Sequence, residues 1–116
     1  MKKLFFLFMI IAFCSCGGKK EYRAIEFKTV DARGNVLKSA YAFDVVMVID
    51  DDLIYSYTAG EIDDEKFSIY ETNEKLNETE YLFVDRKGVT GTLVVPRFGD
   101  EMTIDYEGEI VKIKFK

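Results

Sequence analysis

Both cysteines of the chain lie in "FCSCGGKK", residues 13–20, with one residue between Cys14 and Cys16. A thioredoxin-type redox pair needs two intervening residues at a helix N-terminus, whereas these thiols close an apolar run. A zinc site needs four donors, and two thiols in a chain without histidine leave the set half empty. The missing histidine also removes the commonest general base near neutral pH. Carboxylates are the remaining reactive class, and residues 50–80 hold eleven of them against Lys66 and Lys75. Asp50, Asp52, Asp63 and Asp64 are the members placed to receive a cation or a basic partner. Asp50-Asp51-Asp52 lacks the alternating spacing of an EF-hand loop, and consecutive strand residues point to opposite faces. A solvated acidic surface is therefore expected, with no resident metal and no cofactor.

Tyr55 and Tyr57, two apart in "LIYSYT", share one face of a strand and form the other candidate binding surface. Tyrosine combines an apolar ring with a hydroxyl and is common where proteins meet ligands. Nothing resembles G-x-S-x-G, a Walker loop or a Gly-rich dinucleotide turn, and a chain with 21 acids always offers carboxylate pairs, so no enzyme is expected. A net charge of −5 repels phosphate backbones, which argues against a nucleic-acid partner.

The first residues read as a targeting segment. "MKK" is a basic start, and Leu4 to Phe13 is an uncharged apolar run of ten. At about 1.5 Å per helical residue such a run covers only half of a ~30 Å hydrocarbon core, which suits a signal-peptide core better than a membrane span. Phe13-Cys14-Ser15-Cys16 after that run resembles the lipobox of bacterial lipoproteins. The resemblance covers residues 1–16. It implies that residues 1–15 are a signal peptide removed before Cys16, and that Cys16 carries a diacylglycerol thioether and an acyl group such as palmitate. Small Ser15 precedes Cys16, whereas bulky Phe13 precedes Cys14, so the resemblance implies Cys16 as the acceptor. Residues 16–21 then form the lipidated cysteine and a short linker. Two or three acyl chains make a persistent anchor where one is marginal.

The elements that must position the candidate sites follow from period two. Ile25 and Phe27 alternate with Glu26 and Lys28, and Val111, Ile113 and Phe115 alternate with Lys112, Lys114 and Lys116. Between them "AYAFDVVMVID", "LIYSYT", "KFSIY", "EYLFVD", "TGTLVV" and "MTIDYE" are short, β-branched or aromatic runs separated by polar turns. "ETNEKLNETE" is polar enough to hold one helical turn in a loop. Asp31-Ala-Arg-Gly34, Asp85-Arg-Lys-Gly88 and Asp105-Tyr-Glu-Gly108 each put a turn-starting aspartate three residues before a glycine, the pattern of a type I turn with a G1 bulge. Residues 22–116 are thus expected to form one all-β domain of about eight short antiparallel strands in a meander, closed as a small barrel or strongly curved sheet, with a β-sandwich as the alternative.

These readings define a function class. The expected protein is an extracytoplasmic lipoprotein of the bacterial cell envelope, tethered to the membrane through Cys16, whose non-catalytic β domain binds a protein or a small apolar ligand. The alternatives are a structural or accessory subunit of an envelope complex and an inhibitor of a secreted hydrolase.

Overall fold

The computed structural model describes residues 19–116. The expected signal peptide and the expected lipidation site at Cys16 lie outside them. All regular structure among the described residues is β: β1 (Lys19–Val30), β2 (Val36–Tyr41), β3 (Val45–Asp50), β4 (Leu53–Thr58), β5 (Glu61–Ile62), β6 (Phe67–Glu74), β7 (Glu78–Val84), β8 (Thr90–Pro96), β9 (Glu101–Tyr106) and β10 (Glu109–Phe115). Eight of them close into an antiparallel barrel in the order β1-β3-β4-β6-β7-β8-β9-β10, sealed by pairing of β10 with β1. The small barrel, and not the sandwich, is the architecture.

Closure follows from a large stagger. Partners traced perpendicular to the strands from Lys19, through Asp50, Leu53, Ser68, Val84 and Thr90, return to β1 about a dozen residues further along. A stagger of that size tilts eight strands by roughly 45° to the barrel axis. β6 therefore slides past β4, and the two share only the pairs Leu53↔Ser68 and Ile54↔Phe67. This is the thinnest seam of the wall.

Alternation places the core inside. Phe83, Leu93, Met102 and Ile113 are essentially inaccessible, each contributing about 1.5–3 kcal/mol through burial. In β10, Ile113 and Phe115 are buried and Val111 packs against them, as the sequence predicts. β1 departs from its simple pattern. A register shift between Ala24 and Glu26 turns Ala24 and Phe27 to the core cluster and leaves Ile25 out of it.

Eight strands build the barrel, as the sequence predicts, and β2 and β5 are short additions paired to β1 and β4 outside the closed order. Three further expectations are corrected. The apolar run "AYAFDVVMVID" is broken at Ala42–Asp44, where Asp44 adopts φ 56°, so that β2 pairs one half of β1 and β3 the other. "ETNEKLNETE" holds no helical turn. It is the end of β6, a tight turn closed by Lys75 N–H donating to Glu78 O, and the start of β7. Among the described residues strand pairing is already in place at Lys19, opposite Asp50, three residues before Tyr22.

Two of the three aspartate turns form as read. Gly34 and Gly88 sit at φ 87° and 88°, and Asp31 and Asp85 accept backbone N–H groups ahead of them. The third does not start at Asp105. Tyr106 pairs Glu109 directly, leaving Glu107 and Gly108 at φ 55° and 78° as a two-residue type I′ turn.

β2 stands apart from the barrel. All six of its residues are exposed, and it pairs only with β1 among the described residues. Lys38 and Ser39 interrupt its apolar side chains.

Candidate functional site

The antiparallel order gives the barrel two different ends. At the entry end lie Lys19, the β3–β4 turn, the β6–β7 turn and the β8–β9 loop. At the mouth end lie the β1–β2, β4–β5, β7–β8 and β9–β10 turns. The mouth opens into an apolar cavity of about 290 Å³. Phe27, Phe67, Ile104, Val111 and Ile113 form its walls, with Met47 among its deeper lining.

Beside the cavity the barrel wall changes partners. Along β4, Thr58 and Tyr57 face Glu61 and Ile62 of the two-residue β5, and only Ile54 and Leu53 face Phe67 and Ser68 of β6. Its polar lining comes from Ser56, Tyr106, Glu107 and Glu109. Ser56 Oγ donates to Asp63 Oδ2 at 2.5 Å, and Thr58 Oγ1 donates to the same oxygen at 3.0 Å.

Aromatic packing sets the cavity's shape. The Phe67, Phe83 and Tyr106 rings meet at centroid distances of 4.8, 5.2 and 5.7 Å. Gly91 makes room for them. A Cβ there would lie 2.5 Å from Phe83 Cζ and 2.9 Å from the Asp105 carbonyl oxygen. An isolated glycine inside a strand is a signal of close approach, and "TGT" carries that signal in the sequence.

Tyr106 is held from outside the barrel. Its hydroxyl donates to Asp85 Oδ2 at 2.5 Å, and Glu65 Oε2 stands at 3.5 Å. The Asp85 hydrogen bond pushes the phenol well above its usual pKa, with desolvation adding to it. Reciprocally, the Tyr106 hydroxyl holds the Asp85 carboxyl below the usual carboxylate range, helped by the N–H groups of Val89 and Lys87.

A lowered folded pKa on Asp85 gives stability that is present above the ordinary carboxylate pKa, near 4, and is lost as the pH falls below it. Tyr106→Phe removes the largest cause. The acid-unfolding midpoint should then move to higher pH, and the Asp85 carboxyl should titrate closer to its ordinary value by NMR. An unchanged Asp85 titration would show that the pair is not coupled in solution.

Comparison with protein-family models, curated proteins and solved structures finds no match. The site's geometry alone carries its functional meaning.

The sequence-derived candidates fall elsewhere. Tyr55 and Tyr57 do share a face of β4, half-buried, with rings edge to face at 5.9 Å. That face is the outer one, opposite inward Ile54, and register sets the pair beside Val48 and Val46 of β3. Tyr55 donates to Asp50 Oδ2 at 3.3 Å, and Lys66 Nζ lies 5.7 Å from its ring centre. Burial, then the Asp50 charge, raises the Tyr55 phenol pKa.

The acidic candidates are not brought together. Asp50 and Asp52 flank the β3–β4 turn at the entry end, where Asp51 adopts φ 56°, while Asp63 is tied to Ser56 and Thr58 near the mouth. Asp64 is exposed in the loop after β5. No group of three or more acids among the described residues has the geometry of a metal site.

Proposed function

We propose that this protein is a membrane-tethered, non-catalytic lipoprotein of the bacterial cell envelope whose barrel holds a small apolar ligand at its mouth. The observation that carries the ligand reading is the cavity of about 290 Å³ walled by Phe27, Phe67, Ile104, Val111 and Ile113. That volume is close to the lower limit of known small-molecule sites, about 300 Å³, and its lining matches them in being mostly apolar with few polar groups. The tether rests on the lipobox-like residues ending at Cys16.

The apolar dye N-phenylnaphthylamine probes the cavity. Saturable enhancement of its emission is expected with the wild type, and Ile104→Trp, which fills the cavity, should weaken binding by about tenfold or more, the equivalent of ~1.4 kcal/mol. Because Ile104 is only partly buried, the melting temperature should fall little. No saturable binding by the wild type, or equal binding by the variant, would remove the ligand reading.

A second reading, an accessory subunit of an envelope complex, draws on β2. Its outer edge is open among the described residues, and Val36, Leu37, Tyr41 and Phe43 are exposed along it and the break that follows. Such an edge accepts an added strand from a partner.

A further inference from the structure

The entry end of the barrel carries two large apolar side chains that the core does not use. Leu76, in the β6–β7 turn, is 84% exposed, and Phe98, in the β8–β9 loop, is 83% exposed. Scattered single apolar residues need no explanation. These two are not scattered, because Arg97 joins their loops. Its backbone N–H donates to Asn77 O at 2.8 Å, Nε to Leu76 O at 3.0 Å and Nη2 to Lys75 O at 2.9 Å. A guanidinium spent on two carbonyls of the neighbouring turn fixes the tips relative to one another.

The same end receives the chain from the anchor. Lys20 and Arg97 line one polar hollow there together with Thr79 and Pro96, so the start of β1 lies across the barrel end from the two loops. Only Gly17 and Gly18 separate Cys16 from Lys19. At ~3.6 Å per residue at most, three steps allow the Cys16 Cα to stand no more than about 11 Å from that of Lys19. A lipid on Cys16 would hold this end within reach of the bilayer.

We propose that Leu76 and Phe98 enter the lipid interface and seat the barrel upright on the membrane, its cavity mouth facing away. The inference rests on the anchored reading above. Apolar side chains on amphipathic surfaces settle about 5–10 Å into the boundary between headgroups and acyl chains, which is within the scope of two loop tips. The charges around them are mixed. Lys19, Lys20, Lys75 and Arg97 share this end with Glu78, Asp100 and the Asp50–Asp52 turn. The contact is therefore hydrophobic in origin, and raising the salt concentration should change it little.

The chain has no tryptophan, so a single introduced one reports without background. The test uses full-length lipidated protein in phosphatidylethanolamine–phosphatidylglycerol vesicles with brominated acyl chains. Three variants are compared: Leu76→Trp, Phe98→Trp, and Leu37→Trp beside the far end of β1, where the native leucine is 65% exposed. The indoles of Leu76→Trp and Phe98→Trp should be blue-shifted and quenched at least about twofold more than that of Leu37→Trp, the difference expected between side chains inside and outside the interface. Equal emission and quenching in the three variants would overturn the inference while the anchor stood. The anchor has its own readout: the wild type should float with vesicles and Cys16→Ser should not. If Cys16→Ser floated equally well, the lipoprotein reading would fail, whatever the tryptophans reported.

Discussion

Gly91→Val should destabilise the barrel by about 3 kcal/mol, at the upper end of what overpacking usually costs. The position admits no Cβ without movement. The nearer obstacle, Phe83 Cζ at 2.5 Å, belongs to a ring that is 1% exposed and packed against Phe67 and Tyr106. The other obstacle is backbone, the Asp105 carbonyl oxygen of the neighbouring strand. Neither can yield without disturbing the wall of the cavity. Denaturant unfolding of Gly91→Val should show a lower midpoint, and Phe83→Leu in the Gly91→Ala background should recover part of the loss, since residues in contact are not additive. A Gly91→Val protein as stable as wild type would mean that the aromatic cluster repacks freely.

Leu93→Ala should cost about 2–5 kcal/mol, the range for truncating a fully buried leucine in a core that relaxes only partly. Leu93 is inaccessible in the middle of β8, between β7 and β9. Leu76→Ala is the matched control. Its native side chain is 84% exposed, and surface substitutions usually change stability by less than about 0.5 kcal/mol. Similar losses for both leucines in denaturant melts would contradict the assignment of inside and outside.

The contrast between these leucines marks what can be read from the chain. β10 is legible because Val111, Ile113 and Phe115 alternate with lysines, and the alternation survives closure unchanged. The turns at Gly34 and Gly88 are legible because an aspartate with backbone donors ahead of it and a glycine at positive φ are local requirements. β6 is only half legible. Residues 71–74 are mostly exposed, so no apolar period marks them as strand. Alternation assigns Ile25 to the core, but a one-residue bulge inverts the face and leaves no signature in composition.

The candidate site is less legible still. Each cavity residue reads individually as an inward strand position. The space between them forms only where β1, β4, β6, β9 and β10 are brought together by closure, a property of the closed ladder and not of any segment. The conspicuous features point elsewhere. Tyr55 and Tyr57 pack on the outer wall, and the aspartates of residues 50–64 are divided between the two ends.

The seam between β1 and β10 also constrains how the native state is reached. Ala24 pairs Phe115, and Val30 pairs Ile110, so the barrel wall cannot be completed until a segment some eighty to ninety residues downstream has arrived. Contacts of such long sequence separation demand a large loss of chain entropy before they are rewarded, which places domains of this kind among the slower, millisecond-to-second folders. A chain made N-terminus first therefore holds β1 long before its closing partner exists. Sealing waits for the tenth strand.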